Sequence, residues 1–204
     1  MELKESDSPV VVPPRKVPFA LKARLKNELD HMEQLGIIEK VEKSTDWVNA
    51  LVVVKKPNGK LRICLDPCPL NQAIKRQHYR LPTTEEITSQ MSGAKAFSKL
   101  DASNGYWQIA VDDSTSDLLT FGTAFGRYRF KRMRYRIHSA SEIFLLQISK
   151  IIAGCEGCAN SQDDMIVWGE TKEIHDQRLQ KVLALIKESG LKLNRQNASL
   201  VQLN

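Results

Sequence analysis

Phe97-Ser98-Lys99-Leu100-Asp101 is a strand-like run that ends on a carboxylate, and Asp163-Asp164 follows about sixty residues later. Either segment alone says little, because Asp doublets are common in exposed turns and a single Asp often caps a helix. Together they predict carboxylates that converge at strand ends of one sheet. Three such carboxylates, Asp101, Asp163 and Asp164, can hold two divalent cations against a transferring phosphate. The expected ions are two Mg²⁺, with Mn²⁺ as a substitute.

The composition describes a globular chain with a basic surface. Of its 204 residues, 42% are hydrophobic and 26% charged, which excludes a disordered tail and allows one domain or one and a half. The net charge of +6 favours a polyanionic partner, although such an excess is also found on ordinary solvated surfaces. No apolar run approaches the roughly 18 residues that span a bilayer, and the charged N-terminus is unlike a signal peptide. We therefore expect a cytoplasmic or nuclear protein without a membrane partner.

The four cysteines form a C-x3-C and a C-x2-C pair, at Cys64, Cys68, Cys155 and Cys158. This spacing permits a four-thiolate zinc site, and the alternative is a set of free intracellular thiols. Cys64 lies in a strand-like apolar alternation, and neither pair has the glycine and aromatic neighbours of a zinc knuckle. These features favour free thiols.

Local patterns predict an α+β fold. Residues 1–18 form an extended lead-in, and apolar residues at helical spacing from Leu21 to Leu35 predict a helix that ends at Gly36. Asn58-Gly59 predicts a hairpin between Trp47–Lys56 and Lys60–Leu65. Further helices are expected from the capping box at Pro82–Glu86 to about Gly93, from Ser139, and over Thr171–Ser189. Further extended segments are expected at Ala96–Leu100, Gly105–Val111, Leu118–Gly122, Tyr128–Phe130, Met165–Trp168 and Leu191–Leu193.

The order of these motifs resembles the reverse transcriptases of gypsy-type LTR retrotransposons. Leu100–Ile109 resembles motif A of that family, Ser139–Phe144 the second half of motif B, and Asp163–Gly169 motif C. The resemblance runs from about Arg15 to Asn194 and includes Gly36–Glu39, Trp47–Asn49, Lys56–Pro67, Leu70-Asn71, Tyr79–Thr83 and Phe121–Thr123. It implies the fingers and palm of a right-hand polymerase, with an antiparallel palm sheet backed by helices and no thumb in this chain.

The resemblance also implies a division of the chain and an activity. Residues 19–95 would be mainly fingers with the first palm elements, and residues 96–204 mainly palm, with part of the fingers at about 112–135. The implied activity is RNA-directed DNA polymerisation, in which two metal ions promote transfer of a deoxynucleotide to a primer 3′-hydroxyl. The implied partners are an RNA or DNA template with its primer and deoxynucleoside triphosphates. Whether a thumb or ribonuclease H portion acts in trans stays open.

Individual residues receive roles from the same resemblance. Asp101 and Asp163 would be metal ligands, and Asp164 would complete the acidic cluster. Tyr106 stands at the steric-gate position, where an aromatic ring clashes with a ribose 2′-hydroxyl; a half-buried aromatic is compatible with that role. Lys55 and Arg62 match the finger residues that clasp the incoming triphosphate. A further lysine, Lys60, would contact template or nucleotide, or be solvated.

Three segments depart from the family pattern. Motif B normally begins with a Leu-Pro-Phe-Gly turn, where this chain has Met133–Arg136. Arg136 thus occupies the glycine position, and a positive φ there would cost about 1–2 kcal/mol. Polar Asn160-Ser161-Gln162 replaces an apolar strand before Asp163, and Cys68-Pro69 replaces an Arg-Asp pair. These departures motivate the alternative of an inactive, decayed or domesticated remnant that at most binds nucleic acid.

Basic and aromatic side chains are interleaved between Arg127 and Arg136. As a strand, this segment would have one basic and one apolar face. Such a face suits a nucleic-acid backbone, or simply meets water. Arg134 and Arg136, with Lys60, are the expected nucleic-acid contacts.

Overall fold

The computed structural model describes residues 1–5, 7–55, 59, 61–76, 82–102, 105–161, 164–194 and 198–202. Its helices are α1 Phe19–Gln34, α2 Cys68–Ala73, α3 Thr84–Gln90, α4 Gly105–Gln108, α5 Asp113–Leu118, α6 Ala140–Ile151 and α7 Lys172–Ser189. Its strands are β1 Ile38–Val41, β2 Ala50–Lys55, β3 Leu61–Asp66, β4 Ala96–Asp101, β5 Thr120–Thr123, β6 Gly126–Phe130, β7 Cys158–Ser161, β8 Asp164–Gly169 and β9 Ser199–Gln202. The predicted α+β class is confirmed.

The chain forms two compact units, each with a core of its own. The first unit comprises Met1–Arg76 and Ile109–Ala140, and the second comprises Gln77–Gln108 and Ser141–Asn204. The assignment of fingers and palm to particular residue ranges stays a prediction. None of the helices in the described parts of the chain is long and apolar enough to cross a membrane.

The first unit contains an antiparallel sheet of order β1-β6-β5 and the β2-β3 hairpin. Leu25, Leu29 and Met32 recur at three- and four-residue spacing along α1 and are buried, which confirms the predicted amphipathic helix. Phe121 and Phe130 are fully buried on the sheet, with ring centroids 4.8 Å apart. The predicted hairpin strands also pair, whereas most of its tip lies outside the described residues.

The second unit contains a four-stranded antiparallel sheet of order β7-β8-β4-β9, with α3, α6 and α7. Thr83 and Glu86 form the predicted capping box of α3. The Thr171 side chain caps the start of α7, and Gly190 ends that helix in the left-handed conformation. The predicted start of α3 and the predicted bounds of α7 are confirmed, because caps depend on residues close together in sequence.

Two predicted extended segments are wrong. Gly105–Gln108 forms the helix α4, packed so closely that a Cβ on Gly105 would lie 2.7 Å from Phe144 Cζ. Leu191–Leu193 contributes only an isolated bridge between Leu193 and Ala102, and β9 forms the edge of the sheet instead. The Gln108 side chain donates to Lys192 O at 2.9 Å and accepts from Lys192 N at 2.7 Å. A side-chain amide thus takes the place of a strand partner there.

All four cysteines are free thiols, and the two pairs belong to different units. Burial raises the pKa of Cys158 to about 12, so its thiol stays protonated at neutral pH. The hydrogen bond to Asp66 raises the pKa of Cys68. A neutral thiol is a poor metal ligand, because the thiolate is the form that binds zinc.

Candidate active site

Two of the three predicted carboxylates are neighbours in the sheet of the second unit. Strands β4 and β8 pair in antiparallel register, and Asp101 lies directly opposite Asp164. Directly opposed residues of such a pair have Cβ atoms about 4.5–5.5 Å apart and project from the same face. Asp163 lies outside the described residues, so its part in the cluster stays a prediction.

The alternation along β4 explains why a carboxylate is accessible at this place. Ala96, Ser98 and Leu100 are buried, whereas Lys99 is exposed and Asp101 is half-buried. Successive strand residues point to opposite faces, so Lys99 and Asp101 share the outer face. The buried face anchors the strand in the core and leaves the Asp101 carboxylate accessible on the outer face.

Lys99 is a residue of this site that the sequence motifs did not identify. Its Nζ lies 2.7 Å from Asp164 Oδ2, and this hydrogen bond raises the pKa of Lys99. On the other side, Asn194 Nδ2 donates to Asp101 Oδ2 at 3.4 Å. The sequence signal for Lys99 is its position two residues before Asp101, because residues two apart in a strand project from the same face. The ammonium group of Lys99 therefore already binds one of the two carboxylates, that of Asp164.

The donor chemistry of the pair fits a hard divalent cation. Carboxylate oxygens are the ligands that Mg²⁺ prefers, and two of them converge here beside a bound ammonium group. Among the residues that the structure describes, no group of three or more His, Cys, Asp or Glu forms a metal site. The third predicted ligand, Asp163, lies outside the described residues.

A buried polar network supports β4 from its other face. His175 is fully buried, with Nε2 3.0 Å from Ser98 Oγ and Nδ1 3.0 Å from Asp176 Oδ1. Hydrogen bonds from Lys172 and then His175 lower the pKa of Asp176. A Ser-His-Asp series resembles a catalytic triad, but Ser98 is 5% exposed and offers no access to substrate. The network therefore fixes α7 to the strand that carries Asp101.

Tyr106 lies in α4, in the same unit as the carboxylate pair. It is 8% exposed, its hydroxyl lies 3.2 Å from Ser141 Oγ, and its ring centroid lies 5.2 Å from that of Phe144. These contacts fix the ring orientation. They are compatible with the predicted steric gate, which needs a rigid aromatic edge, and that role stays a prediction.

The predicted phosphate ligands Lys55 and Arg62 lie in the hairpin of the first unit. Lys55 is paired with Leu61, and Arg62 with Val54. Because adjacent register positions project from alternate faces, Lys55 and Arg62 belong to opposite faces of the hairpin. The structure does not bring these two side chains together, and Lys60 lies outside the described residues.

The predicted basic strand between Arg127 and Arg136 is wrong in two places. Strand β6 ends at Phe130, and Arg129 forms ion pairs with Glu39, Asp113 and Asp117. Arg134 is 3% exposed, donates from Nη2 to Ile63 O at 2.7 Å and stacks over Phe130. The predicted position of Arg134 on an exposed basic face is therefore wrong. The chain turns after β6, so the alternation of basic and apolar side chains along one strand ends there.

The turn that replaces the family's glycine contains the strained residue that the sequence suggested. Arg136 has φ 72°, and it is the one non-glycine among the described residues with positive φ. Asn71 secures this turn, since its Nδ2 donates to Arg136 O at 2.7 Å and its Oδ1 accepts from His138 N at 3.0 Å. The hydrogen bonds compensate for a conformation that disfavours a side chain.

We expect Arg136→Gly to be more stable than Arg136→Ala by about 1 kcal/mol, because only glycine adopts this φ without strain. Both variants remove the guanidinium, so their difference isolates the backbone. The measurement is the thermal midpoint of each variant, with an expected separation of roughly 2–4 °C. An alanine variant as stable as the glycine variant would contradict the strain.

The polar residue Asn160 on β7 is another departure with a structural consequence. It is 6% exposed, its Nδ2 donates to Leu145 O at 3.4 Å, and its Oδ1 is buried without a hydrogen-bond partner in the described part of the chain. An unsatisfied buried oxygen costs about 1–3 kcal/mol. The strand beside the carboxylates is thus held less firmly than an apolar one.

We expect Asn160→Leu, a substitution of similar size, to stabilise the second unit by about 1 kcal/mol, because it removes a desolvated oxygen and adds apolar burial. Chemical denaturation with the tryptophan fluorescence of this unit would measure the gain. Asn160→Asp is the matched comparison, expected to destabilise because it buries a charge. Equal stability of the leucine variant and the unchanged chain would contradict the prediction.

Most of the chain is similar in sequence to known proteins. The model of the family described as "Reverse transcriptase (RNA-dependent DNA polymerase)" matches residues 54–202. The chain is 29% identical over 202 residues to "Uncharacterized protein K02A2.6" of Caenorhabditis elegans, covering 98% of this chain and 16% of that protein. It is 31% identical over 168 residues to the "Retrovirus-related Pol polyprotein from transposon 412" of Drosophila melanogaster, covering 78% of this chain and 14% of that protein. The chain thus spans less than a fifth of either relative.

Solved structures share the fold. The native crystal structure of Prototype Foamy Virus Protease-Reverse Transcriptase has a TM-score of 0.83 at 17% identity, covering 97% of this chain and 26% of that chain. The foamy viral protease-reverse transcriptase in complex with RNA/DNA hybrid has a TM-score of 0.82 at 17% identity, with coverage of 97% and 26%. At this identity the likeness shows the fold alone, the α+β fingers and palm of a right-hand polymerase.

Proposed function

Given that this chain belongs to the reverse transcriptase family, we propose that it is the polymerase part of a gypsy-type retrotransposon Pol polyprotein. Its proposed reaction is transfer of a deoxynucleotide to a primer 3′-hydroxyl, directed by an RNA or DNA template. The observation that carries the proposal is the pairing of Asp101 with Asp164 on neighbouring strands. Family membership supplies the reaction type, and the pairing supplies the ligands that this reaction needs.

Asp101 and Asp164, with Asp163, would hold two Mg²⁺ ions, or Mn²⁺ in their place. When bound, such ions lower the pKa of the attacking hydroxyl and neutralise charge on the leaving pyrophosphate. Lys99 would release Asp164 as the metal enters, because both compete for the same oxygen. The buried bond between Ser98 and His175 would keep β4 in place throughout.

The remaining proposed roles concern substrate binding. Arg62, which is cationic and exposed, would bind the triphosphate, and Lys55, exposed on the opposite face of the hairpin, would contribute only positive charge to the same region. Tyr106 would exclude ribonucleotides. Arg136 and Lys60 would contact the template or primer. The complexes that related structures form with DNA and RNA/DNA hybrid support a primer-template as the partner.

Primer extension tests the function directly. We expect the full chain to add deoxynucleotides to a DNA primer annealed to RNA or DNA, with Mg²⁺ or Mn²⁺ and not with EDTA. Arg76→Gln removes one positive charge at an exposed position, so it is a control for the effect of net charge on binding of the duplex. Binding of the duplex without any incorporation under either metal would reject the polymerase and leave the nucleic-acid-binding remnant.

Tyr106→Val is expected to lower the preference for deoxynucleotides over ribonucleotides by about 10- to 100-fold, because it removes the ring that would meet the 2′-hydroxyl. Tyr106→Phe keeps the ring and loses only the contact with Ser141, so its preference should stay within about twofold. The measurement is kcat/KM for each sugar. If phenylalanine relaxed the preference as much as valine, the hydroxyl and not the ring would set it.

A further inference from the structure

Cys155 and Cys158 stand at the two ends of a tight turn in the second unit, between α6 and β7. Glu156 and Gly157 form the turn, and both cysteines are half-buried free thiols. The Cα atoms at the ends of a four-residue turn lie less than about 7 Å apart. A disulfide joins Cα atoms about 4.4–6.8 Å apart, so this turn brings the two cysteines within the range of one.

The thiol of Cys158 is directed toward Cys155. It donates to the Cys155 backbone oxygen at 3.5 Å. Burial raises the pKa of Cys158, and the charge of Cys155 and a hydrogen bond with its side chain raise that pKa further. Such interactions act only over short distances, so the two thiols are neighbours in the reduced chain.

Contacts with α7 and β8 hold the turn in place. Lys181 Nζ donates to Gly154 O at 3.1 Å, and Gly157 O accepts from Trp168 N at 2.8 Å. Arg178 Nη1 donates to Trp168 O at 3.0 Å and packs against Gly157, where an added Cβ would lie 2.6 Å from this nitrogen. A turn that is fixed on both sides keeps the two thiols within reach of each other.

The chain carries an internal comparison in its other cysteine pair. Cys64 lies in β3 and Cys68 begins α2, both in the first unit. The side chain of Cys68 hydrogen bonds to Asp66. Its thiol is thus engaged by a carboxylate, whereas that of Cys158 is directed at the other member of its own pair.

We propose that Cys155 and Cys158 are a redox site, at which a reversible disulfide forms by exchange with a low-molecular-weight disulfide such as oxidised glutathione. The thiolate of Cys155 attacks one sulfur of oxidised glutathione, whose S–S bond breaks and releases one glutathione thiolate. The thiolate of Cys158 then attacks Cys155 Sγ and releases the second. The two cysteine protons pass to the two glutathione thiolates, so one disulfide is reduced while the other forms.

The order of attack follows from the burial of Cys158. A thiol whose pKa is about 12 is protonated at neutral pH and does not start the exchange. Once Cys155 is in the mixed disulfide it has no charge, which removes one of the causes that raise the pKa of Cys158. The positive charges of Lys181 and Arg178 then favour the Cys158 thiolate, and its attack is intramolecular.

Oxidation restrains the start of the strand beside β8. Cys158 is the first residue of β7 and pairs with Val167, and Ser161 at the other end of β7 pairs with Asp164. A ring closed across the turn limits the conformations of the unfolded chain, which stabilises the folded one. This site is independent of the nucleotidyl transfer proposed above, since it uses none of the carboxylates.

Mass spectrometry of the full chain tests the site, after equilibration with mixtures of reduced and oxidised glutathione in EDTA, alkylation of free thiols and digestion by trypsin. Trypsin leaves each pair within a single peptide, residues 151–172 for Cys155 and Cys158 and residues 63–75 for the other pair. We expect the 151–172 peptide to lose two hydrogen atoms, and to be half oxidised at a level of oxidised glutathione at least about tenfold lower than the 63–75 peptide. Equal oxidation of the two peptides, or disulfides between chains in place of the internal one, would overturn the proposal.

Single serine variants test the order of attack. Cys158→Ser should retain glutathione on Cys155 as a stable mixed disulfide, whereas Cys155→Ser should carry at least about tenfold less glutathione on Cys158. The reverse pattern would overturn the assigned roles. Cys68→Ser is the matched control, and it should change the oxidation of the 151–172 peptide less than about twofold.

Thermal melting of the unchanged chain measures the restraint. We expect the oxidised form to melt about 2–4 °C above the reduced form, and Cys155→Ser to show no such difference between the two glutathione conditions. An oxidised form that melts at or below the temperature of the reduced form would contradict the restraint on β7. All of these results can be obtained whether or not the chain extends a primer.

Discussion

Replacing Asp101 with Asn is expected to lower the rate of primer extension by about 10³-fold or more. Asparagine has the same shape, but its neutral amide cannot replace the carboxylate as a ligand for a divalent cation. Metal stabilisation of transition-state charge contributes several kcal/mol, and each 1.36 kcal/mol corresponds to a factor of ten in rate. The measurement is the single-turnover rate of one deoxynucleotide addition with saturating Mg²⁺.

The matched control for this variant is Glu188→Gln. Glu188 is an exposed carboxylate near the end of α7, in the same unit as Asp101, and its loss changes the net charge equally. We expect its rate to stay within about twofold of the unchanged chain. A second readout is Mn²⁺ binding followed by electron paramagnetic resonance, which should weaken only in Asp101→Asn. Retention of metal binding and of the rate within tenfold would show that Asp101 is not a ligand.

The carboxylate pair could be predicted because each of its two members stands in a recognisable local motif, although the motifs are about sixty residues apart. Alternation along β4 puts Asp101 at the end of a half-buried strand, and a family motif identifies its partner at Asp164. The ends of α3 and α7 could be predicted for a similar reason, since Thr83, Thr171 and Gly190 act on backbone groups within a few residues.

Features that depend on distant contacts could not be predicted in this way. The alternation after Asp101 suggested an extended segment, yet Gly105 packs against Phe144 in a helix. Arg134 looked like part of a basic face, yet the chain turns after Phe130 and buries it. In each case tertiary packing overrides the local pattern. The strain at Arg136 was readable from the family's glycine, whereas its hydrogen bonds with Asn71, sixty-five residues away, were not.

The same dependence on distant contacts makes Gly169 a sensitive position. This residue ends β8, the strand that begins at Asp164, and pairs with Ala96 at the start of β4. A Cβ at Gly169 would lie 2.5 Å from the backbone nitrogen of His175 and 2.7 Å from its Cα. Backbone atoms cannot rotate away as a flexible side chain would. Because His175 is also bonded to Ser98, the helix cannot retreat without breaking a buried hydrogen bond.

We expect Gly169→Ala to destabilise the second unit by about 2–3 kcal/mol, since overpacking forces the backbone to shift. The corresponding fall in the thermal midpoint is roughly 5–10 °C, measured by tryptophan fluorescence.

Gly154→Ala is the matched control. Gly154 has φ 75° and no heavy atom within 4 Å of an added Cβ, so this variant measures only the backbone strain, about 1 kcal/mol. Gly169 is not among the residues with positive φ, so its cost is purely steric. A midpoint for Gly169→Ala at or above that of Gly154→Ala would show that α7 does move away, and that the contact between Ser98 and His175 does not hold the sheet of the carboxylates in place.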